Sequence, residues 1–236
     1  MIKREALPFT SALTRREAIL VLAYIPLHVA VFQWLFSMLV RNGTLPQATA
    51  NLIYYGVGFV YMVCAAFGFL RRDFDPVVDR PFRTMLEIIS SYGWMFIANF
   101  LVGMILLGMP EGSGNPNNQS IMNTAAANGR FVEAAVVYLG PLVEEMMFRA
   151  GIFGLIRRKN RIAAYVVSAL LFSLYHVLPY TFVNPIYWVY IIQYVPVSLL
   201  LARCYERTNS IWGSTFFHML VNGIAFSALG ALQEMM

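Results

Sequence analysis

Pro141-Leu-Val-Glu144-Glu145-Met-Met-Phe-Arg149 places two carboxylates and a guanidinium in the middle of an apolar run that extends from Phe131 to Ile156. A run of about 26 residues is long enough to cross a bilayer at roughly 1.5 Å per residue. A charged side chain at the centre of a spanning helix costs on the order of 2.5 to 3.5 kcal/mol on insertion scales, so these three groups need partners or a wet cavity. That makes the stretch a candidate functional site. Glu145 and Arg149 are four residues apart with the acid first, so on a helix they share a face and can pair. Glu144 points about 100° away, free to face a cleft as an unpaired carboxylate and a candidate general base. The competing reading is a buried ion pair that only locks helix packing, and the second, adjacent acid weighs against it.

The rest of the chain supplies the setting. Its 236 residues are 59% hydrophobic and 12% charged, where a soluble domain has roughly a quarter of its residues charged. This composition predicts an all-α, polytopic membrane helix bundle. Apolar runs at Ala18 to Val40, Leu52 to Leu70, about Met85 to Met109, Phe131 to Ile156, Ile162 to Leu178, Ile186 to about Ala202 and Ile211 to about Leu232 give about seven transmembrane helices. The first run is too long for the core of a cleaved signal peptide and is read as a helix that stays in place. Pro196, inside the sixth run, is a candidate kink. Cys64 and Cys204 lie in or at the end of apolar runs, which argues against a disulfide framework or a cysteine-based metal site and predicts two small core hydrophobes.

A formal net charge of +5 would suit a nucleic-acid partner, but the distribution of the charge decides otherwise. One set of alternating segments holds Lys3, Arg4, Arg15 and Arg16, then Arg71, Arg72, Arg80 and Arg83, then Arg157, Arg158, Lys159 and Arg161, then Arg203 and Arg207. The opposite set holds only Arg41 and Arg130. Such asymmetry predicts a cytoplasmic N-terminus and an external C-terminus, with membrane lipid rather than nucleic acid as the surrounding partner. The segment Arg71 to Thr84, with Phe74 and Phe82 among its charges, is expected along the cytoplasmic interface. Pro110 to Asn128, rich in Gly, Asn and Ser, is expected to be a mobile external loop. The glycosylation pattern Asn118-Gln119-Ser120 within it is too short to carry weight. No repeat or linker divides the chain, so residues 1–236 are read as a single membrane domain.

All three histidines lie in or near apolar runs. His28 stands alone near Pro26, where a hydrogen-bonded packing role is expected. His176 closes Phe172-Ser-Leu-Tyr-His176 late in the fifth run, and His218-Met-Leu-Val-Asn222 sets a histidine and an amide one turn apart on one face of the last. Counted inward from the basic ends at 1.5 Å per residue, Glu144 lies about 20 Å deep, His176 about 22 Å, His218 about 12 Å and Asn222 about 18 Å. Tilt and kinks can absorb that spread, which allows one intramembrane site.

The three motifs in this order, Glu-Glu-x-x-x-Arg at 144–149, Phe-x-x-x-His at 172–176 and His-x-x-x-Asn at 218–222, resemble the CPBP family of intramembrane proteases. That family includes the Rce1-type CAAX-processing enzymes and the Abi proteins that process or confer immunity to bacteriocins. The resemblance covers about residues 131–226 and leaves 1–130 as accessory helices. It implies hydrolysis of a peptide bond within the membrane, in a membrane-associated peptide or prenylated protein, by a glutamate-activated water. Glu144 and His176 would polarise the water, and His218 and Asn222 would bind the developing oxyanion. Glu145 and Arg149 match the motif as supporting residues. A zinc-dependent version is also open, since two imidazoles and a carboxylate (His176, His218 and Glu144) form a known catalytic zinc set. Because His-Glu-x-x-His is absent and Asn222 stands beside His218, the expectation is no metal cofactor. Two other classes compete: a transporter, which would usually show inverted repeats, and a regulatory or immunity protein that uses only the fold. The latter has no need to keep six costly intramembrane groups.

Overall fold

A computed structural model of the protein describes residues 9–109 and 114–234, with side chains as far as Ala231. The basic residues Lys3 and Arg4 and the stretch 110–113 lie outside the described residues. The described chain is helical, without strands. Its elements are α1 (Arg15–Arg41), α2 (Gln47–Arg72), a single turn at Asp75–Asp79, α3 (Pro81–Leu106), α4 (Pro116–Glu133), α5 (134–157), α6 (Arg161–Thr181), α7 (Pro185–Thr208) and α8 (Ile211–Glu234). Six of these, α1, α2, α3, α6, α7 and α8, are long and apolar enough to cross a membrane. The seventh predicted span is α5, helical throughout but carrying Glu144, Glu145 and Arg149 within it. The protein is a multi-pass membrane helix bundle.

Local signals fix the helix ends. Thr14 caps α1 through a reciprocal box with Glu17, whose carboxylate accepts from the Thr14 backbone N–H at 2.8 Å. Asn160 caps α6 by accepting from the Ala163 N–H at 2.9 Å. Asn209 ends α7 in the left-handed conformation (φ 55°), which an asparagine tolerates. Its side-chain oxygen accepts from the backbone of Thr10 and Ser11, tying the N-terminal segment to the bundle.

α5 is the central helix. It packs against α1, α2, α6, α7 and α8, and every residue from Pro141 to Ala150 is buried. Outward faces stay apolar, as on α3, where Trp94, Phe96, Phe100 and Ile105 are exposed; lipid can cover such a face without leaving any backbone group unpaired. The basic residues meet at one end of the bundle. There Glu206 binds Arg157 and Arg161, Glu87 binds Arg203 and Arg207, and Glu17 binds Arg72.

Two expectations are corrected. The stretch 110–128 is no loop in its described part: Asn115 caps α4 by accepting from Asn117 and Asn118, Pro116 occupies its first turn, and the helix runs to a break at Asn128. Its Asn117, Asn118 and Ser120 line a cavity. Cys204 is buried, but Cys64 faces outward on α2 and is no part of the core. The 71–84 segment is mostly exposed and is anchored to the bundle through two of its residues. Asp73 is buried and accepts from the Ile211 backbone N–H, capping α8, while Phe74 packs edge-on against Trp212.

Candidate active site

α5 departs from α-helical geometry on both sides of its acidic pair, with π-helical turns at Ala134–Leu139 and Met146–Phe153. Such single-turn expansions concentrate at functional sites. The first has a visible cause and consequence. The Gly140 N–H bonds back five residues to Ala135 O, and the next residue, Pro141, has no N–H to offer Val136. Asn222 of α8 donates its side-chain amide to the Val136 carbonyl at 2.8 Å. The proline thus creates the acceptor that holds Asn222 against α5, with its second amide hydrogen still available.

Glu145 and Arg149 are both fully buried and face each other at 3.4 Å. Glu145 also accepts from His218 Nδ1, 3.0 Å from its Oε1. Arg149 lies over the Phe172 ring, 4.3 Å from its centroid, and donates to the Ser198 carbonyl and hydroxyl. With Nδ1 turned to Glu145, His218 presents Nε2 to Glu144 Oε2 at 3.8 Å. His176 contacts the Phe172 carbonyl through Nδ1 at 2.9 Å and presents its own Nε2 to the same oxygen at 3.7 Å. Both imidazoles are thereby fixed to point Nε2 inward, since the partner of one ring nitrogen sets the role of the other.

Glu144, His176 and His218 therefore converge, and Asn222 lines the same cavity. Glu144 Oε2 is buried with no hydrogen-bond partner among the described residues. A buried carboxylate oxygen left unpaired between two Nε2 atoms calls for a proton donor or a cation beside it. The donor set is chemically suited to zinc. As arranged, however, no group of three or more His, Cys, Asp or Glu among the described residues could hold a metal ion.

Several neighbours of the site were not legible as such in the sequence. The hydroxyl of Tyr55, on α2, donates to Glu144 Oε1 at 3.2 Å and meets Tyr175 OH at 3.3 Å. Tyr175 in turn reaches His28 Nε2 at 3.4 Å, and His28 Nδ1 meets Tyr24 OH at 3.3 Å. His28 is thus hydrogen-bonded and fully buried, at the end of a chain leading to Glu144. Glycines permit the approach: a Cβ on Gly140 would come within 3.2 Å of the Tyr55 ring, and one on Gly58 within 3.2 Å of Val143. Tyr194 stacks on His176 with centroids 4.6 Å apart and bonds to Asn115 at the start of α4. Tyrosines occur throughout the apolar runs, so nothing in the sequence distinguishes these.

Fold and site together define a polytopic membrane protein whose helices close around a buried acid–histidine cluster. Residues 129–224, which carry all three motifs, match the family described as type II CAAX prenyl endopeptidase Rce1-like. This bears out the resemblance drawn from the motifs. Among curated proteins, the chain is 27% identical over 144 residues to "Putative membrane peptidase YdiL" of Bacillus subtilis, covering 58% of this chain and 54% of that protein. It is 33% identical over 92 residues to UPF0177 protein YxdF of Lactococcus lactis, covering 39% and 46%, and 21% identical over 175 residues to UPF0177 protein YvdC of the same organism, covering 74% and 64%. The chain thus spans about half to two thirds of the length of these relatives. No solved structure matches.

Proposed function

We propose that the protein is an intramembrane endopeptidase of the cell membrane, hydrolysing a peptide bond of a membrane-associated peptide through a water held by Glu144 and His176, without a metal. The observation that carries this is the unpartnered Glu144 Oε2 facing the Nε2 atoms of His176 and His218 at 3.7 and 3.8 Å. A water between them would donate to the carboxylate. Glu144 takes its proton as the oxygen attacks the scissile carbonyl, and the C=O becomes a tetrahedral oxyanion. His218, held at Nδ1 by Glu145, faces that oxyanion with Nε2, and the free Asn222 amide hydrogen donates to it. Loss of one such donor typically costs a hundredfold or more. Collapse of the intermediate breaks the C–N bond, and the proton held by Glu144 passes to the leaving amine. The buried ring of apolar side chains around α5 keeps these interactions strong.

The test is incubation of purified protein in detergent with a mixed peptide library, with new termini read by mass spectrometry. Wild type generates them and Glu144→Gln does not, while both melt at the same temperature, because Gln keeps shape and hydrogen bonding but cannot take the proton. An unaltered cleavage pattern in Glu144→Gln, or no cleavage by wild type, refutes the reading.

A further inference from the structure

His176 brings its Nε2 atom to 3.7 Å from Glu144 Oε2, and that arrangement lasts only if something stops the imidazole from turning. Its Nδ1 lies 2.9 Å from the Phe172 carbonyl. A carbonyl only accepts, so Nδ1 carries a hydrogen and donates it there. Phe172 is one turn back on the same helix, however, so this bond ties the ring to α6 alone and leaves it able to pivot about the bond relative to the rest of the site.

Three aromatic rings pack against the imidazole among the described residues. Phe172, with centroids 4.4 Å apart, and Tyr175, edge-on at 5.0 Å, belong to α6 itself. Tyr194 belongs to α7 and stacks on the imidazole at 4.6 Å with the planes 23° apart. A stacked pair of this kind biases an equilibrium between ring positions by roughly two- to tenfold. The Tyr194 ring is itself secured at its hydroxyl. Asn115 donates to Tyr194 OH at 3.1 Å and to Gln193 Oε1 at 2.6 Å, while its side-chain oxygen caps α4 by accepting from the Asn117 and Asn118 N–H groups. Consecutive residues point about 100° apart on a helix, so a buried asparagine that grips both Gln193 and Tyr194 resists rotation of this turn of α7. His176 thus rests on a plate whose position is set by α7 and by the start of α4, and neither Tyr194 nor Asn115 lies within the three motifs.

We propose that Tyr194 is a positioning residue for His176, its ring holding the imidazole with Nε2 toward Glu144. This rests on the endopeptidase reading and deepens it: the placement of the water between Glu144 and His176 depends on a ring outside the motif helices.

Two measurements on purified protein in detergent test it, with Tyr194→Leu to remove the ring and Tyr194→Phe to keep it. The chain has three histidines, so NMR of histidine-labelled protein shows three imidazoles, assigned with His28→Gln, His176→Gln and His218→Gln. At a pH where the rings are neutral, His176 should show one tautomer, with its hydrogen on Nδ1, in wild type and Tyr194→Phe, and an averaged Nδ1/Nε2 pattern in Tyr194→Leu, with His218 the same in all three. An unaltered His176 pattern in Tyr194→Leu, or a change at His218 as large as that at His176, overturns the proposal. In peptide cleavage, Tyr194→Leu should lower kcat roughly ten- to a hundredfold, the scale of a misplaced catalytic group, with KM within about twofold of wild type, and Tyr194→Phe should restore kcat to within about threefold. A loss confined to KM, or a Tyr194→Phe variant as slow as Tyr194→Leu, overturns it too. Absence of cleavage by wild type overturns the endopeptidase reading and the catalytic meaning of the placement with it, and the NMR pattern still decides whether Tyr194 holds His176.

Discussion

The Glu145–Arg149 pair separates the structural from the chemical work of the motif, and a double-mutant cycle can measure the separation. Both side chains are fully buried. Glu145→Gln leaves the guanidinium with the Ser198 oxygens and the Phe172 face but without its paired carboxylate. Arginine cannot shed its proton to escape. An uncompensated buried charge of this kind costs roughly 3 to 5 kcal/mol. Arg149→Met is the milder change, because it leaves the Glu145 carboxylate with His218 Nδ1 as a remaining partner at 3.0 Å; about 3 kcal/mol is expected. For a chain of this length each kcal/mol moves the midpoint by roughly 2 to 4 °C, so Glu145→Gln should melt on the order of 6 to 20 °C below wild type in detergent. The double mutant removes both charges and should recover to within about 1 to 2 kcal/mol of wild type. It should not recover activity, since the Gln at 145 can still accept from His218 Nδ1 but no longer presents the carboxylate that orients it; loss of such a supporting partner costs about ten- to a hundredfold. Intrinsic tryptophan fluorescence during heating reads the first quantity and peptide cleavage the second. If the double mutant is as unstable as Glu145→Gln, or if Glu145→Gln melts with wild type, the charge-pair reasoning is wrong.

Three further outcomes follow from the same geometry. Tyr55→Phe removes the hydroxyl that donates to Glu144 while keeping the ring; a hydrogen bond to a charged group is worth about 1.5 to 3 kcal/mol, so the variant should melt roughly 3 to 12 °C lower and turn over more slowly as Glu144 loses its orienting partner, and unchanged turnover would remove Tyr55 from the site. Gly140→Ala puts a methyl 3.0 Å from the Ala135 carbonyl and 3.2 Å from the Tyr55 ring, so it should destabilise by about 1 to 3 kcal/mol and slow cleavage as Tyr55 is pushed off Glu144; a variant as stable and active as wild type contradicts that close approach. Purified, active protein should contain no stoichiometric zinc by elemental analysis and should survive chelators; inactivation by chelator with rescue by zinc would replace the metal-free reading.

How much of this could be read in the sequence depended on how rare a residue type is in its surroundings. Carboxylates, histidines and arginines are so costly in apolar runs that Glu144, Glu145, Arg149, His176 and His218 stood out, and helical spacing alone paired Glu145 with Arg149 at a distance the structure gives as 3.4 Å. Tyr55, Tyr175 and Tyr194 carry no such signal, because a tyrosine is as much at home in the apolar wall as in the site; only their hydroxyl partners reveal which they are. The 116–128 stretch failed for the opposite reason. Its Asn, Gln and Ser residues are turn formers in water, yet here a proline at the first turn and the Asn115 cap start a helix whose polar face is satisfied by a cavity.

That inversion explains what the first helices contribute. α5 brings the acids, and α6 and α8 bring the histidines, but none of these three supplies the hydroxyl donor to Glu144 or the Gln47–Asn51 portion of the cavity lining. α2 supplies both, and it can do so because Gly58 and Gly140 let it lie within van der Waals contact of α5. His28 of α1, fully buried and bonded to Tyr24 and Tyr175, then fixes the far end of the hydrogen-bond chain that begins at Glu144. The motif-bearing segment 129–224 therefore holds the charged groups of the cluster but not the whole site, and a fragment limited to it would lack the donor at Glu144 and one wall of the cavity.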